Sequence, residues 1–334
     1  MIRLGLCCLF HAEPIKFRTT TAAALAKLAR PRQLERLSQL CAANAAALLA
    51  ALRFCSAHGI GCFRINSRIL PLKTHPALGY PLEELPQAGE ILRAFQECGA
   101  FARAHALRTC FHPDQFVVLN SQRPEVVASS VRELEYQAEV AEWVQADVIN
   151  IHGGGAFGNK PQALADFCRG VERLSPRARS RLTVENDDTL FSARDLAPVC
   201  RELAIPLVYD VHHHRCLRDA WSVEEATAAA LATWNREPLF HVSSPRDGWA
   251  GPRPQRHHDY IDPSDLPGAW RDLDLTVEVE AKAKELAVLR LKEHLASRRA
   301  AAGSQAKPAR LAKPTLVKPT RVKPTRVKRT RQSD

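Results

Sequence analysis

The sequence predicts an α/β fold, a (β/α)8 TIM barrel with a disordered basic C-terminal tail. Short runs rich in Val, Ile and Leu alternate eight times with longer segments of helical periodicity, the pattern of βα units around a parallel sheet. No Gly-rich turn follows the first run, as an open doubly wound sheet would usually carry. Near residue 298 the composition shifts abruptly to Ala, Lys, Pro, Thr and Arg.

The strand candidates are 2–8, 60–65, 107–111, 148–151, 182–184, 207–209, 239–242 and 275–279. Between them the periodicity predicts helices over 31–58, 86–105, 124–145, 162–174, 192–203, 223–234 and 281–297, several opened by Pro or Ser. At 334 residues, 46% hydrophobic and 25% charged, the chain is long enough to bury a full barrel core. The expected domains are a catalytic barrel over 1–297 and a tail over 298–334. Residues 298–334 hold twelve Lys or Arg against one acid and so carry the whole formal net charge of +11, leaving 1–297 neutral. In the tail Lys313, Lys318, Lys323 and Lys328 recur every five residues, the first three each followed by Pro, which forbids a stable helix and points to an extended arm that contacts polyanions. The ten cysteines show no C-x-x-C spacing, and the apolar run 4–10 is too short for a signal peptide. The longest apolar stretch, 40–52, is broken by Asn44. A cytoplasmic protein with no membrane-crossing segment is expected.

A βα barrel places its active site at the C-terminal ends of the strands. There the sequence reads Phe111-His112-Pro113, Ile151-His152-Gly153-Gly154, Val184-Glu185-Asn186-Asp187, Asp210-Val211-His212-His213-His214, His241-Val242-Ser243-Ser244 and Glu278-Val279-Glu280. Nearly all these residues can bind metal, and their recurrence at six successive ends predicts a centre of more than one divalent ion. Glu185 lies between a His-rich half and an acidic half, and a carboxylate can bridge two cations where a neutral imidazole serves one. Asp210 and His213, three apart, point to one mouth and to different ions, while His212 and His214 fall behind them. His257 and Asp259 sit in a Gly/Pro-rich loop that could complete a third site. Ligands of this kind, without thiolate, admit Mn, Zn or Fe. Phosphodiester hydrolysis is the leading chemistry, because such ions clamp phosphoryl oxygens. A metal-dependent sugar isomerase or epimerase is the alternative.

These strand ends, together with Arg3-Leu4-Gly5, Phe63-Arg64-Ile65-Asn66-Ser67, Leu70-Pro71, His75, Asp114-Gln115-Phe116, His257-His258-Asp259-Tyr260-Ile261 and Glu280-Ala281-Lys282-Ala283-Lys284-Glu285, resemble the UV damage endonuclease family over roughly residues 2 to 295. The resemblance implies a metal-dependent barrel that nicks damaged double-stranded DNA 5′ of a lesion, a UV photoproduct or related damage, and acts as a monomer. Abasic-site cleavage is the neighbouring alternative. It implies that His112, His152 and Glu185 hold one manganese-type ion, that Glu185, Asp210, His241 and Glu280 hold a second, and that His213 and His257 hold a third. Gln115 and Phe116 would enter the duplex beside the lesion, with His75 also on the substrate side. The chain departs from the family at Leu6 and Phe10, where relatives carry Tyr and Asn, at Leu239 in place of a Lys, and at Phe116 where Tyr is typical. The ion cage is intact and the lesion-reading surface is altered.

Overall fold

The computed structural model describes residues 2–305. Eight parallel strands, β1 (Ile2–Cys7), β2 (Cys62–Ile65), β3 (Arg108–Phe111), β4 (Val148–His152), β5 (Leu182–Glu185), β6 (Leu207–Val208), β7 (Leu239–Val242) and β8 (Leu275–Val279), form one sheet. Its order is β6-β5-β4-β3-β2-β1-β8-β7. Each strand lies within two residues of its expected bounds. The remaining seam, between β6 and β7, is closed by a parallel bridge from Asp210 to His241, with the His241 amide donating to the Tyr209 carbonyl at 3.0 Å. Two candidate ligands thus stand at the point where the barrel closes.

Outer helices follow the expected pattern. Arg30–His58 is long and apolar enough to span a membrane by length and composition, yet Leu37, Leu48, Leu52 and Cys55 on it are fully buried in the protein. It ends at Gly59, whose φ of 62° lets its amide reach the Cys55 and Ser56 carbonyls. Ala193–Leu203 begins with a reciprocal capping box between Ser192 and Asp195.

Two departures have simple causes. Residues 298–305, expected in the tail, continue the helix Glu285–Gln305, because the Ala-rich stretch 300–302 favours helix and the first proline comes only at 308. The rest of the expected arm, 306–334, lies outside the described residues. A short helix, Val211–Cys216, which the periodicity did not mark, starts directly after β6 with Asp210 as its N-cap.

Alternation along the strands sorts the barrel interior into layers. Cys62, Cys110, Val148, Val208 and Leu239 form an apolar cluster inside it. Arg64, Asn150 and Glu278 are buried polar residues two positions on from Cys62 and Val148, and two before Glu280. At the mouth stand the candidate ligands.

Candidate metal centre

Glu185, the last residue of β5, is fully buried at the centre of the mouth. Its Oε2 lies 2.9 Å from His112 Nε2 and accepts from Asn150 Nδ2 at 2.5 Å. Its Oε1 lies 3.1 Å from His241 Nδ1 and 3.3 Å from His213 Nδ1. The two oxygens therefore face different imidazoles, the arrangement a shared carboxylate needs. Among the described residues, ligand atoms fall within 4.8 Å of one another in three overlapping groups here: His112, His152 and Glu185; His112, His241 and Glu280; and Glu185, Asp210 and His213.

Local backbone explains each placement. His152 ends β4 and is followed by Gly153-Gly154, where Gly154 has a φ of 83° and the Asn120 side chain leaves no room for a Cβ. Asn120 Nδ2 donates to the Gly153 and Gly155 carbonyls at 3.0 and 2.8 Å, pinning that turn. Asp210 caps the short helix by accepting from the His213 amide through Oδ1 at 2.9 Å. That cap turns His213 back over the mouth and explains the spacing of three. It also brings ligand atoms of Asp210, His213 and Glu185 within 4.8 Å of one another, close enough for neighbouring ions around that carboxylate. His257 is set further out, its Nδ1 3.8 Å from Glu280 Oε2 and its ring centroid 6.5 Å from that of His213.

Electrostatics bind the cluster together. Burial opposes ionisation of Glu185, yet the His241 and His152 imidazoles, with hydrogen bonds from His112 and His213, hold it well below the usual carboxylate range. Glu280 is less deeply set, its side chain 15% exposed; its partial burial opposes ionisation, and Arg64 and His241 hold it well below that range. Burial disfavours charge on His241, but Glu185 beside it raises it to about 10. His152 is lowered, chiefly by burial. Two acceptors at the mouth are left over: His152 Nδ1 and Asp210 Oδ2 are buried with no hydrogen-bond partner. Buried polar atoms are rarely left so. Orphaned acceptors among imidazoles and ionised carboxylates suit divalent cations, so the residues present fit the metal ions that the sequence implies. A fourth group, Cys62, Cys110 and Glu278, lies deeper, but burial raises the Cys110 thiol and Arg64 already occupies the carboxylate.

The substrate-side residues lie on the rim. Gln115 and Phe116 form the tip of the turn after β3, where the Phe116 amide donates to Asp114 Oδ1 at 3.2 Å, and Phe116 is 75% exposed. An aromatic ring this exposed contributes little to the core. His75 shares with Phe116, Arg68 and Tyr136 the lining of an open cavity of about 720 Å³, and its Nδ1 accepts from the Ala77 and Leu78 amides. Leu6 is fully buried, Phe10 packs edge-on against Phe54 and near Phe63, and Leu239 is buried in the apolar cluster inside the barrel. Asp259 is exposed and belongs to none of the ligand groups among the described residues. His214 is buried against the Tyr209 hydroxyl.

Sequence reasoning named no positioning part for Arg64, Asn150 and Asn186, and counted Glu278 among the metal-capable residues at the strand ends, whereas its carboxylate is taken by Arg64. Asn150 donates to Glu185 and accepts from Thr183 Oγ1 at 2.9 Å, and Asn186 Nδ2 donates to the Asp210 carbonyl at 2.9 Å. The available signal was strand alternation: Asn150 and Glu278 each lie two residues before a candidate ligand and so share its face.

A family model described as UV-endonuclease UvdE matches residues 2–306. A UV DNA damage endonuclease of Bacillus velezensis is 33% identical over 302 residues, covering 87% of this chain and 91% of that one. The crystal structure of SacUVDE superposes with a TM-score of 0.80 at 26% identity, over 90% of this chain and 99% of that one. Endonuclease IV from Thermus thermophilus shares the fold, with a TM-score of 0.55 at 16% identity over 76% of this chain and 94% of that one.

Proposed function

Because the chain belongs to the UvdE family of UV endonucleases, we propose that it is a divalent-metal-dependent phosphodiester hydrolase that nicks damaged duplex DNA 5′ to the lesion. The observation that carries this reading is Glu185, buried with imidazoles against both of its oxygens at the mouth of a barrel. We assign His112, His152 and Glu185 to one ion, Glu185, Asp210, His241 and Glu280 to a second, and His213 with His257 to a third, manganese being the preferred metal. Bound there, the ions would supply Lewis-acid charge to the phosphoryl oxygens and lower the pKa of an attacking water. The protein's part is to hold these donors rigidly. Asn150 and Asn186 fix Glu185 and the Asp210 backbone, and the apolar cluster inside the barrel keeps bulk water from below. Phe116 and Gln115, projecting from the rim, would part the duplex at the lesion. The sugar isomerase alternative is not favoured, since the family match covers the whole barrel.

Incision of matched end-labelled duplexes, one undamaged, one with a cyclobutane dimer and one with an abasic site, across added divalent metals tests the reading. Cutting of a damaged duplex only when metal is present is expected; three intact strands at every metal concentration would refute it. His152→Ala should weaken one ion site about 10- to 100-fold and lower incision at limiting metal, with recovery at high metal because the remaining ligands persist. A folded variant that no metal concentration rescues would show that His152 does more than ligate.

Residues 306–334 hold ten bases and one acid. Their removal should leave metal content and single-turnover cleavage at saturating enzyme unchanged while DNA affinity falls. Each phosphate contact contributes about −0.9 to the slope of log affinity against log salt, so the truncated protein should show a shallower slope. Equal slopes would mean that the arm does not touch DNA.

A further inference from the structure

Directly beneath the proposed ligands lies a buried charged pair that the metal centre does not use. Glu278 on β8 is 1% exposed, and its register partner on β7 is His241. Its Oε2 accepts from Arg64 Nε at 2.8 Å and from Arg64 Nη2, and lies 2.9 Å from His241 Nε2. Its Oε1 accepts from the Cys110 thiol at 3.0 Å. Arg64 does not grip the carboxylate as a two-pronged fork, because both nitrogens go to one oxygen while Nη1 reaches Glu280 Oε1 at 2.7 Å. The guanidinium therefore spans one carboxylate in the proposed ligand set and one below it.

We propose that Glu278 is the positioning residue of His241, its Oε2 taking the Nε2 proton so that Nδ1 is left bare toward Glu185 and Glu280, with Arg64 as the fixed counter-charge. The tautomer of His241 decides whether Nδ1 can act as a ligand. His241 Nδ1 points into the cluster, 3.1 Å from Glu185 Oε1 and 3.5 Å from Glu280 Oε1, and it can hold an ion only without a proton. In the neutral ring the proton must then sit on Nε2, which needs an acceptor. Two candidates face Nε2, and one of them, Arg64 Nη2 at 3.0 Å, has only protons to give. Were Nε2 bare, it would accept from Arg64, the proton would move to Nδ1, and the imidazole would be lost as a ligand. Glu278 Oε2 lies 2.9 Å from Nε2 and also takes Arg64 Nη2, so of the two groups facing Nε2 it is the one able to accept a proton from the ring. The charge on Glu278 decides between these states. A carboxylate behind a metal-bound histidine fixes ring orientation and raises the basicity of the ligating nitrogen.

This proposal rests on reading the strand-end cluster as a metal centre, and the experiment separates the two. Manganese titrations of the full chain would be compared for wild type, Glu278→Gln, which keeps a neutral acceptor, and Glu278→Met, which keeps the volume and removes it. One ion site should weaken about 10- to 100-fold in the Met variant and less in the Gln variant, with the other sites unchanged. In zinc-loaded wild type, 15N and 1H NMR of labelled histidines should place the His241 proton on Nε2, a readout that needs no variant. Wild-type affinity at every site in folded Glu278→Met protein, or a His241 proton on Nδ1, would overturn the positioning role. Wild type that binds no manganese would overturn the metal reading itself.

Discussion

Glu185→Gln should bind divalent ions poorly and lose incision by on the order of 10³-fold or more, while keeping the barrel. The amide has the same shape, so packing at this fully buried position is undisturbed. What changes is charge and acceptor capacity. Each oxygen of Glu185 faces a different set of imidazoles, His112 on one side and His241 and His213 on the other. Glutamine offers one oxygen and one NH2, so whichever way it turns, one side of the cluster meets a donor. Asn150 Nδ2 already donates to Oε2, and an NH2 there would set two donors against each other. Far-UV circular dichroism, metal analysis and incision on one preparation check the outcome. Full activity in folded Glu185→Gln protein would remove the shared carboxylate from the account.

Phe116→Ala should cut incision of damaged duplex by roughly 5- to 150-fold, the loss of about 1 to 3 kcal/mol of base stacking. The side chain is 75% exposed at the tip of a turn held by Asp114, so truncating it leaves the fold and the ligands where they are. The loss should be selective. A single-stranded or already distorted substrate needs no opening, and its cleavage should stay near the wild-type rate. An equal loss on both substrates would place the defect in folding or metal binding.

Much of the barrel was legible because the strands are fully buried and so concentrate Val, Leu, Ile and Phe in short segments even where they carry a functional polar residue, as in Leu275–Val279 and Leu239–Val242. The mouth was legible for a related reason: residues that close a barrel strand face the active site, so His112, His152, Glu185, His241 and Glu280 are marked by position alone. Three features were not. The short helix Val211–Cys216 has only six residues, too few to show a period, although Asp210 is an ordinary cap. The seam between Asp210 and His241 is a long-range pairing that no local pattern encodes. Arg64 was read as part of a strand and Glu278 as one of the metal-capable residues at a strand end, because a charged residue inside a barrel can be placed only once its partner on another strand is known.

The central claim is that Glu185 is shared between ions at the mouth of the barrel. Anomalous diffraction from crystals grown with manganese measures it most directly. The account predicts at least two manganese peaks, one within bonding distance of each Glu185 oxygen, one flanked by His112 and His152 and the other by Asp210, His241 and Glu280. A single peak, or peaks that leave either Glu185 oxygen without an ion, would contradict it.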